Sequence, residues 1–164
     1  MILLKFEQTI KGDSITEGFV DWITCSSLQW GVGRSISASG ATTDRETSNP
    51  SFSEVTLTKS TDVASTALLA QATHGKALGI ATVAFINTHE GAPQCYMVVD
   101  LHEAIVSSYS ASSGGDRPSE SFSLNFTKQV VAYKQFDGTK VVGSDAKGWD
   151  IRANKVFNDI KWPS

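Results

Sequence analysis

IVSSYSASSGGDRPSESFSLNFTK, residues 105–128, holds two runs of strand-forming character joined by a turn-rich bridge. Ile105 and Val106 lead into a serine-rich run, and Gly114, Gly115 and Pro118 then punctuate a loop. Beyond the loop Phe122, Leu124 and Phe126 alternate with Ser123, Asn125 and Thr127. A period of two puts the aromatic and aliphatic groups on one face and small neutral polar groups on the other. Such a strand suits a wall against water or a bound partner better than a catalytic pocket.

Working outward, the same pattern predicts strands over residues 3–9, 22–30, 55–59, 81–87, 95–101, 104–110, 121–128, 130–133 and 149–153. On the 22–30 run Leu28 and Trp30 fall on one face and Ser27 and Gln29 on the other. One alanine-rich stretch, Ala64 to Ala72, reads as a helix. Asp62 or Ser65 is its candidate cap, Gly75 its stop, and Leu68, Leu69 and Ala72 its apolar face. Residues 35–53 are almost wholly small or polar and form a long excursion. Many short strands and one helix predict a mostly β fold, a small β-barrel of two packed, largely antiparallel sheets with one short α-helix and a long extended loop. The expected core is Leu28, Trp30, Val55, Leu57, Phe122, Leu124 and Phe126. At 164 residues the chain is expected to be one domain, 1–164, with enough core to fold without metal or disulfides.

With 19% charged residues, a net charge of -3 and no run of Lys or Arg, the chain has no long-range attraction for nucleic acid or an anionic membrane. No stretch approaches the ~20 apolar residues of a membrane helix. MILLKFEQTI lacks the basic start of a secretory signal, so export is expected to use another route. Cys25 and Cys95 lie in apolar strand contexts and are read as reduced core thiols, with a disulfide as the alternative if their strands are neighbours. His74, His89 and His102 fall in different elements without ligand spacing, and no CxxC, phosphate loop or GxGxxG occurs. Gly12-Asp13-Ser14-Ile15 resembles the GDS opening of the GDSL/SGNH esterases, but no histidine follows His102 to serve as the base. The carboxylate pairs Glu54 with Asp62 and Asp116 with Glu120 are read as solvated loop charges. Trp22, Trp30 and Trp149 are assigned to the core rather than to stacking on sugar rings, and Trp162 is expected to be partly exposed. No catalytic, cofactor or metal residue is assigned, and the chain is not expected to be an enzyme.

Several segments, in order, resemble the haemolysin-coregulated protein (Hcp) family, the tube subunit of the bacterial type VI secretion system. They are the turn Lys11-Gly12-Asp13-Ser14, the strand end Leu28-Gln29-Trp30-Gly31, and Thr58-Lys59 running into Asp62 through Leu68. Val106-Ser107-Ser108, Gly114-Gly115 and Glu120 through Phe126 follow, then Asp137-Gly138-Thr139-Lys140 and Gly148 through Asn154. The resemblance implies homohexameric rings stacked into a hollow tube inside a contractile sheath. It implies a spike protein at the tip and effector proteins carried in the lumen, with neither nucleic acid nor membrane insertion involved. The protein would be cytoplasmic before firing and extracellular afterwards, without a signal peptide. The family places the polar side of its sheets around the channel, which makes Ser27, Gln29, Ser123 and Asn125 the candidate lumen contacts. It makes the long polar excursion a ring-stacking loop, with Ser39, Thr43, Asp44, Arg45 and Glu46 as candidates. The alternative is a monomeric carbohydrate- or protein-binding β-sandwich module, and no cofactor is implied by either.

Overall fold

The computed structural model describes residues 1–38 and 45–163. In chain order the elements are β1 (Ile2–Phe6), β2 (Ile23–Cys25), β3 (Ser27–Gln29), β4 (Val32–Gly33), β5 (Ile36–Ala38), β6 (Arg45–Thr47), β7 (Ser51–Phe52) and β8 (Val55–Ser60). After these come α1 (Ser65–His74), β9 (Ala81–His89), β10 (Ala92–His102), β11 (Ile105–Ser112), β12 (Ser119–Asn125), β13 (Lys128–Asp137), β14 (Lys140–Asp150) and β15 (Lys155–Val156). A large sheet is ordered β15-β14-β13-β10-β9-β1-β2 and a small one β11-β12-β8-β3, with every pairing antiparallel. The mostly β, two-sheet, one-helix reading therefore stands. Among the described residues, however, hydrogen bonding does not close the sheets into a single barrel.

Between the sheets lies the main core. Leu4, Phe6, Val83, Val99 and Leu101 from the large sheet meet Val55, Leu57, Phe122 and Leu124 from the small one. On the small sheet alternation is the cause, since each inward side chain loses its water while its neighbour keeps a share of it. The central strands of the large sheet are covered on both faces, with Leu3 and Ala84 as buried as Leu4 and Val83. Five of the expected core residues, Val55, Leu57, Phe122, Leu124 and Phe126, are buried, and Leu28 packs half-buried against them. Trp30 is the exception, at 37% exposure. The 22–30 run is not one strand: it bends at Ser26 and passes from the large sheet to the small. Ser26 donates its N–H to the Thr58 carbonyl at 2.8 Å, and its hydroxyl lies 2.9 Å from that of Thr58. Beyond Gln29 the chain leaves the sheet, so Trp30 has no inner face to point toward.

The outer face of the large sheet carries a second cluster of Leu3, Phe19, Trp22, Ala84 and Ile86, roofed by the loop that ends at Trp22. That loop contains the Gly-Asp-Ser turn. Ser14 is buried, donates its N–H to the Trp22 carbonyl at 3.0 Å and accepts the Thr16 N–H on its hydroxyl, so its role is to hold the loop. Residues 157–163 form a second strap on the same face. Phe157 meets His102 edge-on at 5.2 Å and carries the Lys128 ammonium at 4.4 Å, while Lys134 sits 3.9 Å from the ring centre of Trp162.

α1 joins the main core through Ala64 and Leu68, whereas Leu69 points outward at 49% exposure. Neither candidate cap fills the N-cap position, which is Ala64. Asp62 nevertheless serves the helix start by accepting the Ala64 N–H at 2.9 Å. The last predicted strand is longer and earlier than expected: β14 ends at Asp150 and pairs along β13, which belongs to the large sheet rather than continuing β12. Cys25 and Cys95 are both free thiols, and burial pushes Cys25 up to about 12.

Candidate interaction surface

Residues directly opposite in an antiparallel ladder share a face, so the register defines the outward surface of the small sheet. Gln29, Thr56, Ser123 and Ser108 form one row across it, and Ser27, Thr58, Ser121 and Ser110 the next. Ser60, Ser119 and Ser112 form a third row, and Asn125 sits opposite Ile105 at the other end. No member of these rows is charged. The hydroxyls bond to one another across the strands: Ser27 to Thr58 at 2.6 Å, and Thr56 to Ser123 at 3.1 Å. A β-bulge at Ser107 sets the phase, since regular pairing of Ser107 with Ser123 would turn Ser108 and Ser110 inward.

All four candidate contacts, Ser27, Gln29, Ser123 and Asn125, thus lie on one face, with Ser27, Gln29 and Asn125 exposed and Ser123 half-buried. The sequence reading did not select Thr56, Thr58, Ser121, Ser108 and Ser110, which complete the surface. The alternation of Thr with Val55 and Leu57 in β8 was the signal that would have found the first two.

The polar excursion is not an unstructured loop. β4 pairs with β7 and β5 with β6, so the chain runs out and returns as a two-stranded arm. Its root is anchored by Phe52, which meets Phe126 edge-on at 6.3 Å, and by Asn154 donating to Asn49 at 2.8 Å. Of the candidate stacking residues, Ser39, Thr43 and Asp44 lie outside the described residues. Arg45 is exposed in β6 opposite Ala38, and Glu46 follows it in the ladder opposite Ser37. Val32 and Ile36 leave apolar surface exposed on this arm.

Under the small sheet sits an ionic cluster at odds with the solvated-charge reading of Asp62 and Glu120. Lys59 and Glu120 are cross-strand partners on the inner face, both buried, with Nζ 2.8 Å from Oε2. Asp62 approaches the same ammonium at 2.7 Å and the Ser65 hydroxyl accepts from it at 3.1 Å. Thr61 donates to the other Glu120 oxygen at 2.9 Å. Burial alone would raise Glu120. Hydrogen bonds from Lys59, Ser65, Tyr109 and Thr61 overcome that and hold it below the usual carboxylate range. Burial and the Glu120 carboxylate together push the Tyr109 hydroxyl up to about 12. The cluster pins the start of α1 to β8 and β12; among the described residues Lys59 has two acidic partners and each acid pairs with this lysine alone. Glu54 remains exposed and accepts from the Ser107 hydroxyl. Among the described residues no cluster of His, Cys, Asp and Glu is arranged to hold a metal ion, and no helix is long and apolar enough to cross a membrane.

These features define a two-sheet antiparallel β protein that presents a broad uncharged sheet face and an extended arm. Residues 3–133 match the family model described as type VI secretion system effector, Hcp, and the chain belongs to that family. Protein hcp1 of Pseudomonas aeruginosa is 41% identical over 63 residues, a match spanning 36% of this chain and 39% of that protein. A solved type six secretion system protein superposes with a TM-score of 0.85 at 23% identity, covering 95% of this chain and 98% of the other. Hcp1 from Salmonella typhimurium gives 0.74 at 23% identity over 95% and 97% of the two chains. A type VI secretion system effector from Yersinia pestis gives 0.71 at 19% identity over 92% and 99%. At these identities the superpositions speak for the fold.

Proposed function

We propose that this chain acts as a single domain and as a structural tube subunit of the type VI secretion system, not as an enzyme. It assembles into hexameric rings that stack inside the contractile sheath, behind a spike protein, and leave the cytoplasm for the exterior when the apparatus fires. The observation that carries this reading is the small sheet's outward face: three successive rows of Ser, Thr and Gln with no charge. Neutral hydroxyls already bonded to one another exchange partners with water at little net cost. A lumen built from them wets readily and holds effector proteins without trapping them. Ser27, Gln29, Ser123 and Asn125 are its contacts, and the arm, with its exposed Val32 and Ile36, reaches the adjacent ring.

Light scattering on the purified protein tests the assembly. A ring has six times the 17.6 kDa mass of the chain, whereas a protein that stays monomeric at all concentrations would not be a tube subunit.

A further inference from the structure

The two straps on the outer face of the large sheet do not meet. Between them lies a cavity of about 360 Å³ over β1, β9 and β10, within the roughly 300–1,000 Å³ of small-molecule sites. Lys5, Trp22, Thr82, Asp100, Lys161 and Trp162 line it. Lys5, Thr82 and Asp100 are brought side by side by the register of the three strands, and each strap contributes one tryptophan.

Asp100 is the group the fold does not explain. It is 3% exposed, yet among the described residues no Lys or Arg forms an ion pair with it, in contrast to Glu120. Its carboxylate accepts the Thr82 hydroxyl at 2.7 Å and the backbone N–H of Lys161. A carboxylate can accept about four hydrogen bonds, so acceptor capacity is left over at the cavity floor. Burial accordingly holds Asp100 above its ordinary range. A buried carboxylate kept without a direct ion-pair partner is costly wherever an amide would secure the strap equally well.

We propose that this cavity binds the ring of a neutral pyranose sugar, stacked against the indole of Trp162, bordered by the largely buried Trp22 and hydrogen-bonded to Asp100. An indole wall matches the apolar C–H face of such a ring. Sugar hydroxyls both donate and accept, and the cavity offers Asp100 as acceptor with the Lys5 and Lys161 ammonium groups as donors. Glu7, also at the rim, accepts the Ile80 N–H at 3.0 Å. Two ammonium groups against two carboxyl groups leave no net charge to select an ionic ligand.

Saturation-transfer NMR on the full-length protein, with glucose, N-acetylglucosamine, glucosamine and glucuronate as probes, tests the assignment. Glucose or N-acetylglucosamine should receive transfer with a Kd on the order of 1 mM. Trp162→Ala and Asp100→Asn should each weaken binding about tenfold while Trp30→Ala, on the far side of the molecule, does not. Asp100→Asn keeps the side chain's shape, so its result holds even if Trp162→Ala loosens the strap; thermal melts confirm that each variant is folded. The proposal is overturned if no probe receives transfer, if Asp100→Asn binds as well as the parent, or if glucosamine or glucuronate is selected over both neutral sugars.

Discussion

Replacing Lys59 by methionine should destabilise the protein far more than replacing Glu120 by glutamine, although the two residues are partners in one ion pair. The asymmetry comes from the count of partners. Lys59→Met keeps the length of the side chain but strands two carboxylates, Asp62 and Glu120, that approach the ammonium at 2.7 and 2.8 Å. Breaking a buried pair in this way costs roughly 3–5 kcal/mol. Glu120→Gln leaves Lys59 bonded to Asp62 and keeps a carbonyl oxygen for Thr61, so about 1–2 kcal/mol is expected. The pH dependence separates this account from a mere packing defect. In the parent, Glu120 is held below its unfolded value, near 4.3, so its contribution is full above that pH and is lost as pH falls through the lower folded value. In Lys59→Met the ammonium is gone, and burial, which opposes the lysine in the parent, raises Glu120 instead. Its deficit is therefore largest near neutrality and shrinks toward about pH 4, where Glu120 takes up a proton. Urea unfolding followed by tryptophan fluorescence, at one fixed protomer concentration, measures both variants across this range. A Lys59→Met cost below about 1 kcal/mol, a larger cost for Glu120→Gln, or a deficit unchanged between pH 7 and 4 would refute the reasoning.

Phe126→Ala should cost roughly 3–5 kcal/mol by opening a cavity beneath the arm root, and an unfolding free energy within about 1 kcal/mol of the parent would contradict the core assignment. Gln29→Arg should leave the assembled mass unchanged while reducing retention or delivery of effectors, because a charge enters an otherwise neutral row; normal delivery removes Gln29 from the lumen. Deleting residues 38–48 should leave the root strands β4 and β7 and a folded protein whose rings stack poorly, and electron micrographs with tubes of ordinary length would show the arm to be dispensable.

Alternation made the small sheet legible because each of its strands has one dry and one wet face. Val55 and Leu57, like Phe122 and Leu124, carry that signal without ambiguity. It failed where geometry changes within a strand. Nothing in ITCSSLQW announces that the chain turns a corner at Ser26, so Trp30 was carried forward as a core residue from a phase that no longer applied. β14 was largely invisible for a different reason: Val141 and Val142 are adjacent and both exposed, so the strand lacks a two-residue period. The Lys59 cluster was hidden because its partners come from three elements, and a lone lysine in a strand looks the same whether it meets water or a carboxylate. Ser27, Gln29, Ser123 and Asn125 share one face because phase alone dictates it, whereas their role as contacts comes from the family resemblance. The cavity between Trp22 and Trp162 depends on two straps flanking one sheet face, which spacing along the chain does not encode.

The corner at Ser26 means that β2 and β3, neighbours in the chain, are edge strands of different sheets. Neither sheet can therefore peel from the core without dragging the other's edge, and the hydroxyl of Ser26, seated on Thr58, fixes the point of transfer. Sheets joined only by long flexible connections can open as separate units with their own free energies. Stitched at this bend, the two lose that independence, and partial opening becomes nearly as costly as complete unfolding. For a core held between only two sheets, mechanical integrity rests on a one-residue corner that cannot swing.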